Sequence, residues 1–342
     1  MKQRTFISII VLALAFTAIL WGVALKVIGS QQAIFGEKEA QTIYSEQSME
    51  VSYIEKEEPI EILFVGDIML SRGVAYQTEQ HGGDGKYPFE GTAEVLRSAD
   101  ITFGNLEGPL SDKGVDQRHL YSFRADTKML DGLTYAGFDV LSLANNHIGD
   151  WGVEALSDTA LRLKAAGIDP VGVGQTIQDA HEPAVRYVDG KRIAFLAYTN
   201  LLPGRFVATD ATPGATYFSL EGIIEDISKA KEHADIVVVS LHWGEEYETE
   251  PRAYQIEWGH MLIDMGADII VGHHPHVVQP VERYNSGIII YSLGNFVFDQ
   301  NFSKETMRGM AVSVSIDDED ALSYEAHEVL ISSQFQPIFA DQ

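Results

Sequence analysis

The chain has 342 residues, 45% of them hydrophobic, with 50 acidic against 24 basic side chains and a formal charge of -26. That length and apolar content support one large folded domain or two ordinary ones and exclude a disordered chain, while the acidic excess argues against a general nucleic-acid binder, which needs surplus Lys and Arg for phosphate. With no cysteine, disulfides and thiolate metal sites are excluded, so any metal must rest on His, Asp, Glu, Asn or backbone oxygen.

Lys2 and Arg4 precede an uncharged apolar run from Phe6 to Leu25, long enough to cross a bilayer as a helix. The positive flank stays inside, which places everything after Lys26 outside the cell. Residues 1–30 are therefore expected to form a signal-anchor transmembrane segment, making this a single-pass cell-membrane protein with an extracellular C-terminal domain. A cleaved signal peptide is the rival reading, but the run exceeds the usual apolar core of such peptides and no clear Ala-x-Ala site follows. Residues 31–58, rich in Gln, Glu and Ser, read as a flexible tether, and 59–335 as the folded domain.

From Ile60 buried strands alternate with amphipathic helices. Ile60 to Val65 reads as a strand stopping at Gly66-Asp67, and Ile101-Thr102-Phe103 as another stopping at Gly104-Asn105-Leu106-Glu107. A helical stripe from Met129 to Ala136 ends at Gly137, and the strand Asp139 to Ala144 delivers Asn145-Asn146-His147 and then Asp150. Gly152 to Ala166 is a helix closed by Gly167; Arg192 to Thr199 is a strand; Ser219 caps a helix running to Ala234. Asp235 to Leu241 delivers His242-Trp243-Gly244-Glu245-Glu246, Tyr254 to Met265 is helical, and Asp268 to Val271 feeds Gly272-His273-His274-Pro275-His276. Val277 to Arg283 and Gly287 to Leu293 flank a hairpin turn, the second delivering Gly294-Asn295-Phe296; Met310 to Ile316 and Leu322 to Ile331 close the domain.

Such alternation predicts α/β layers, and in open α/β sheets ligands collect at the carboxyl ends of strands. Here at least five apolar runs end in Asp, Asn, Glu or His. Asp67, Glu107, Asn146, His147, His242, His274 and His276 form a mixed oxygen and imidazole set suited to one or two divalent transition metal ions, Zn, Mn or Fe, rather than Ca. Two ions about 3.5 to 4 Å apart activate a water and clamp the attacked oxygen, so hydrolysis or group transfer follows, with Asp67, Glu107 and His147 as catalytic candidates. A serine nucleophile is the weaker reading, since Gly-x-Ser-x-Gly is absent. Arg72, Arg118, Arg124, Arg205 and Arg252 lie in loop-like stretches near strand ends, and any could pair with an anionic ligand; Arg118 and Arg124, on a loop joining two of these motifs, are the candidate forks, and Asn295 a candidate substrate contact. Plain readings stand beside these: Asp67, Asn105 and Asn295 as turn residues, Asn145 and Asn146 as helix caps, Glu245 and Glu246 as solvated charge. His119, His181, His233, His260 and His327 read as surface or packing residues.

The motifs Gly66-Asp67-Ile68-Met69, Gly104-Asn105-Leu106-Glu107, Ala144-Asn145-Asn146-His147, His242-Trp243-Gly244, Gly272-His273-His274-Pro275-His276 and Ser292-Leu293-Gly294-Asn295-Phe296, in that order, resemble the bacterial CapA family of capsule and poly-γ-glutamate biosynthesis proteins, related to calcineurin-like metallophosphoesterases. The resemblance runs from about Ile60 to Phe298. It implies a four-layer α-β-β-α sandwich of metallophosphoesterase type with a metal centre at the sheet edge. Asp67 resembles that superfamily's first-motif aspartate, Asn146-His147 its Asn-His motif, and His242 and His274-Pro275-His276 its later histidines. Met69 stands where the first motif ordinarily has His, and Asn105-Leu106-Glu107 replaces a bridging aspartate, which leaves one ion or an altered pair open. The function implied is synthesis, release or attachment of an anionic capsule polymer, with membrane synthase subunits as partners. The alternatives are a non-catalytic assembly or polymer-binding subunit, and a phosphoesterase of unrelated role.

Overall fold

The computed structural model describes residues 58–340, so the expected membrane segment and tether lie outside the described residues. Among those described, no helix is long and apolar enough to cross a membrane. In chain order the strands are β1 (Ile60–Ile68), β2 (Ile101–Leu106), β3 (Val140–Ser142), β4 (Asp169–Val171), β5 (Val173–Gly174), β6 (Ala184–Val188), β7 (Lys191–Thr199), β8 (Gly214–Ala215), β9 (Ile236–His242), β10 (Ile269–His273), β11 (Val281–Tyr284), β12 (Gly287–Ile290), β13 (Asn295–Val297), β14 (Arg308–Ile316), β15 (Leu322–Ile331) and β16 (Pro337–Phe339).

They form two mixed sheets and a small ribbon of β5 with β8. The first sheet has the order β16-β15-β14-β1-β2-β3-β4, with β13 also paired to β1; the second has the order β11-β12-β10-β9-β7-β6. In the first, β1 to β4 run parallel, and β14 to β16 add an antiparallel flank. In the second, β7, β9, β10 and β12 run parallel, with antiparallel β6 and β11 at the edges.

The strict alternation of side chains in a strand explains the layering. Ile62 and Phe64 of β1, Phe103 of β2, Val238 of β9 and Val271 of β10 belong to one apolar cluster in which the sheets meet face to face; Phe103 and Phe195 stack across it at 5.7 Å. The intervening Leu63 and Val65 face a second cluster with Leu133 and Leu163 from the helices Met129–Ala136 and Gly152–Ala165. On the far side Val237, Val239 and Ile270 face Ile223 and Leu262 from the helices Leu220–Lys231 and Ala253–Asp264. The result is helix, sheet, sheet, helix.

The sequence reading and the structure part in several places. The helix Arg72–Gln80 carries no apolar stripe, burying only Val74 and Thr78, and goes unseen. The expected helix to Ala234 ends at Lys231, and the strand expected from Val277 begins at Val281. Asn295, read as a strand-end residue, instead opens β13, because its backbone pairs with Asp67 of β1. The sheet also continues past residue 335, through β16.

Candidate metal centre

The centre starts from a bulge in β1. Its register with β2 goes from Phe64 opposite Phe103 to Asp67 opposite Asn105, three steps against two, and the extra residue swings Asp67 toward the joint between the sheets. Gly66 allows it: a Cβ there would stand 2.0 Å from the Gly294 carbonyl oxygen, so the chain leading to β13 can approach only a glycine. Asp67 is fully buried, accepting from Asn105 Nδ2 at 2.8 Å and from the backbone N–H of His274 at 3.2 Å.

Asn105, undecided on sequence alone, is a hub. Its Nδ2 also lies 3.4 Å from Glu107 Oε2, and its Oδ1 accepts from Asn145 Nδ2 at 3.1 Å. Asn145 further donates to the Leu106 carbonyl and accepts from the N–H of His147, so it ties the loops after β2 and β3 together. That leaves Asn146 to face the site, its Oδ1 2.8 Å from His242 Nε2 at the end of β9.

His147 is stacked on Phe123 with ring centroids 4.0 Å apart. Its Nδ1 is 2.8 Å from Asp150 Oδ2, which turns Nε2 toward Glu107 Oε1 at 3.9 Å. Asp150, fully buried, also lies 2.9 Å from His119 Nδ1, and His119 Nε2 is 2.8 Å from the Arg205 guanidinium. His119 therefore belongs to a chain of contacts reaching His147, a role the sequence reading missed; Asp150 was visible only as an Asp three residues after the Asn-His pair.

His274 and His276 adopt positive φ, 97° and 57°, an unfavourable region for such residues that costs about 1–3 kcal/mol each and persists only where surroundings enforce it. The enforcement is visible in the bond from His274 N–H to Asp67 and in the Pro275 carbonyl accepting from Tyr247 N–H at 2.8 Å. His276 Nδ1 is 3.0 Å from Asn295 Oδ1 and 3.3 Å from Asp67 Oδ2, and its Nε2 is 3.6 Å from Glu107 Oε1. Asn295 therefore orients His276. His273 is fully buried, its Nδ1 3.4 Å from Asp67 Oδ1.

Burial pushes the Asp67 carboxyl up, but contacts with His273 and His276 outweigh it and hold the group well below the usual range. Glu107 goes the other way, raised well above its ordinary value by burial. Burial lowers His242 well below normal and, with the nearby His276 charge, lowers His274 to about 3. Burial also acts against the charged form of His276, yet Glu107 and Asp67 prevail and raise it to about 9.

Two triplets have ligand atoms all within 4.8 Å of one another: Asp67, Glu107 and His242; and Glu246, His274 and His276. Glu107 Oε1 and His274 Nδ1 are buried without a hydrogen-bond partner, which costs about 1–3 kcal/mol per group unless something binds them. Imidazole and carboxylate donors converging on such orphaned atoms fit a transition metal ion. Met69 lends no ligand: its buried sulfur accepts from the N–H and hydroxyl of Ser71 at 3.2 and 3.0 Å.

The pair read as solvated charge divides. Glu245 pairs with Arg252 in solvent, whereas Glu246 joins His274 and His276. Arg118 is exposed, at φ 59°, and its charge acts on Asp116. Arg124 lies over the Trp151 ring at 3.5 Å, and Arg205 over Phe206 at 4.5 Å. The loop bearing Arg118 and Arg124 is clamped to the His147 loop, the Gln117 and Phe123 N–H groups donating to the Asp150 carbonyl and carboxylate.

Residues 61–300 match the family model for bacterial capsule synthesis protein, PGA_cap. The chain belongs to that family. This PGA_cap chain is 41% identical over 247 residues to the PGA biosynthesis protein CapA of Bacillus subtilis, a match covering 70% of this chain and 64% of that one. It is 39% identical over 255 residues to the capsule biosynthesis protein CapA of Bacillus anthracis, covering 72% and 62% respectively. The PGA_cap chain thus spans somewhat under two thirds of either relative's length. Among solved structures, a calcineurin-like phosphoesterase from Bacillus subtilis is 12% identical, covers 79% of this chain and 90% of its own, and superposes with a TM-score of 0.45, too low to carry an argument about fold or chemistry.

Proposed function

We propose that this protein acts in the synthesis, release or attachment of an anionic capsule polymer, poly-γ-glutamate, as a membrane-anchored extracellular protein performing metal-assisted hydrolysis or transfer at an amide or ester. The polymer is suggested by family membership and by the names of the two CapA relatives. The anchor and outward orientation rest on Lys2, Arg4 and the apolar run from Phe6 to Leu25. Synthase subunits in the membrane are the partners this reading expects.

The observation that carries the chemistry is the pair of orphaned buried ligand atoms, Glu107 Oε1 and His274 Nδ1, within a carboxylate and imidazole cluster. Asp67, Glu107, Asn146, His242, His274 and His276 would hold one or two Zn, Mn or Fe ions, which would supply Lewis acidity and an activated water when bound, leaving His147 for the proton. Hydrolysis then adds hydroxyl to the carbonyl carbon and a proton to the leaving nitrogen or oxygen. His147, with Nδ1 held by Asp150 and Nε2 turned into the site, is placed to carry that proton. Arg118 and Arg124 would be the carboxylate contacts in this reading, supported by the clamp between their loop and Asp150, and Asn295 would act through its hold on His276.

A non-catalytic assembly subunit is the second reading, favoured by Met69, whose sulfur faces Ser71 rather than the centre. Elemental analysis of the full-length protein and chromatography of poly-γ-glutamate incubated with it decide between them. The enzyme reading expects bound transition metal and shortened polymer, both lost when His274 and His276 are replaced together by Ala. Metal without turnover supports the assembly subunit; absence of metal in the wild-type protein refutes the centre.

A further inference from the structure

We propose that Glu246 is a metal ligand, completing with His274 and His276 a second cation position beside the one formed by Asp67, Glu107 and His242. The inference rests on the metal-centre reading above and adds a residue to it.

Four observations carry it. Sequence cannot separate the adjacent glutamates, but the fold does, because Glu245 turns to Arg252 in solvent while a Glu246 carboxylate oxygen lies within 4.8 Å of ring nitrogens of both histidines. The backbone is built to present it there. Trp243 N–H donates to the His273 carbonyl at 3.1 Å, Gly244 at φ 90° donates to the Tyr254 hydroxyl at 2.9 Å, and Tyr247 at φ 68° donates to the Pro275 carbonyl. The two loops are thus bonded on both sides of Glu246, and the backbone that carries the carboxylate is held beside the histidines.

Third, His274 Nδ1 is a buried nitrogen without a partner on a residue only 6% exposed, so the histidine side of this position already awaits a ligand. Fourth, Met69, next after the last residue of β1, keeps its sulfur on Ser71 and gives the cluster no donor. Two imidazoles and one carboxylate suit Zn, Mn or Fe. Glu246 is exposed, so this position opens to solvent, where a further oxygen ligand can enter. Its charge is also among the influences raising both Glu107 and His276, consistent with its place at the rim of the cluster.

The test compares full-length wild type with Glu246→Ala, Glu246→Gln and Glu245→Ala. Each is stripped by chelator, checked by circular dichroism, and titrated with Zn or Mn by calorimetry with elemental analysis of the product. Glu245→Ala should match wild type, while both Glu246 variants should lose an ion or bind it about 10- to 100-fold more weakly. Cobalt substitution gives a second readout, since loss of a carboxylate ligand alters its visible absorption. Wild-type stoichiometry and affinity in both Glu246 variants overturns the inference and leaves the first cation position standing. A wild-type protein that binds no ion overturns this inference together with the reading beneath it.

Discussion

Asp158 fastens the loop that follows Glu107 to the helix Gly152–Ala165, and its removal has a magnitude that the structure allows to be worked out. Its carboxylate accepts from Ser111 at 2.6 Å and Arg162 Nε at 2.6 Å and pairs with Lys113 at 2.8 Å. Burial pushes its pKa up, but Lys113, Ser111 and Arg162 outweigh that and lower it from 3.8 to about 2. Because the folded value is the lower one, the stabilisation is complete above the unfolded value and drains away as pH falls through the folded value. The drop from 3.8 to about 2 corresponds to at most about 2.4 kcal/mol. The Lys113 side chain is 50% exposed and that of Arg162 29%, so solvent screens the pairs and about 1 to 1.5 kcal/mol is expected. Asp158→Asn should therefore lower the unfolding free energy of the full-length protein by that amount at pH 7, and by about half as much at pH 3. Urea unfolding followed by tryptophan fluorescence measures both. A loss of equal size at the two pH values, or none at pH 7, would refute the electrostatic account.

Gly66→Ala should force β1 away from the Gly294 carbonyl, costing about 1–3 kcal/mol and weakening metal uptake together; an unchanged melting temperature would show the clash is absorbed elsewhere. Arg124→Ala and Arg205→Ala should weaken poly-γ-glutamate binding while metal content stays at the wild-type level, as read by equilibrium dialysis and elemental analysis. Since both polymer and protein are anionic, binding should tighten as salt rises from very low levels and then weaken once local Arg contacts are screened. Trp243→Phe removes the donor to the buried Tyr291 carbonyl at 3.1 Å and should destabilise by about 1–3 kcal/mol in thermal unfolding.

What could be read from the chain follows from what periodicity encodes. β9 and β10 begin as continuous apolar runs, so their position and the histidines at their ends were legible, whereas the division of Val238 and Val239 between opposite faces was not marked by any change in residue type. β13 was not, because Gly294-Asn295 looks like a turn until a partner more than two hundred residues away supplies its hydrogen bonds. The ligand candidates were legible as polar residues ending apolar runs; the contacts that orient them were not. Asn145 and Asn146 are chemically identical, and only the turn after β3 sends one to Asn105 and the other to His242. The same holds for Glu245 and Glu246, and for His119, whose meeting with Asp150 is a matter of two loops touching.

The candidate ligands come from both sheets: Asp67 from the first, with Glu107, Asn146 and His147 just beyond its strand ends, and His242, His274 and His276 at the ends of the second. All of them have been synthesised once the chain reaches residue 276, yet β1, which bears Asp67, still lacks its neighbour β14. On the metal-centre reading, the full ligand set would then be assembled late. If the centre holds an ion, the compartment in which folding ends would set which ions it samples.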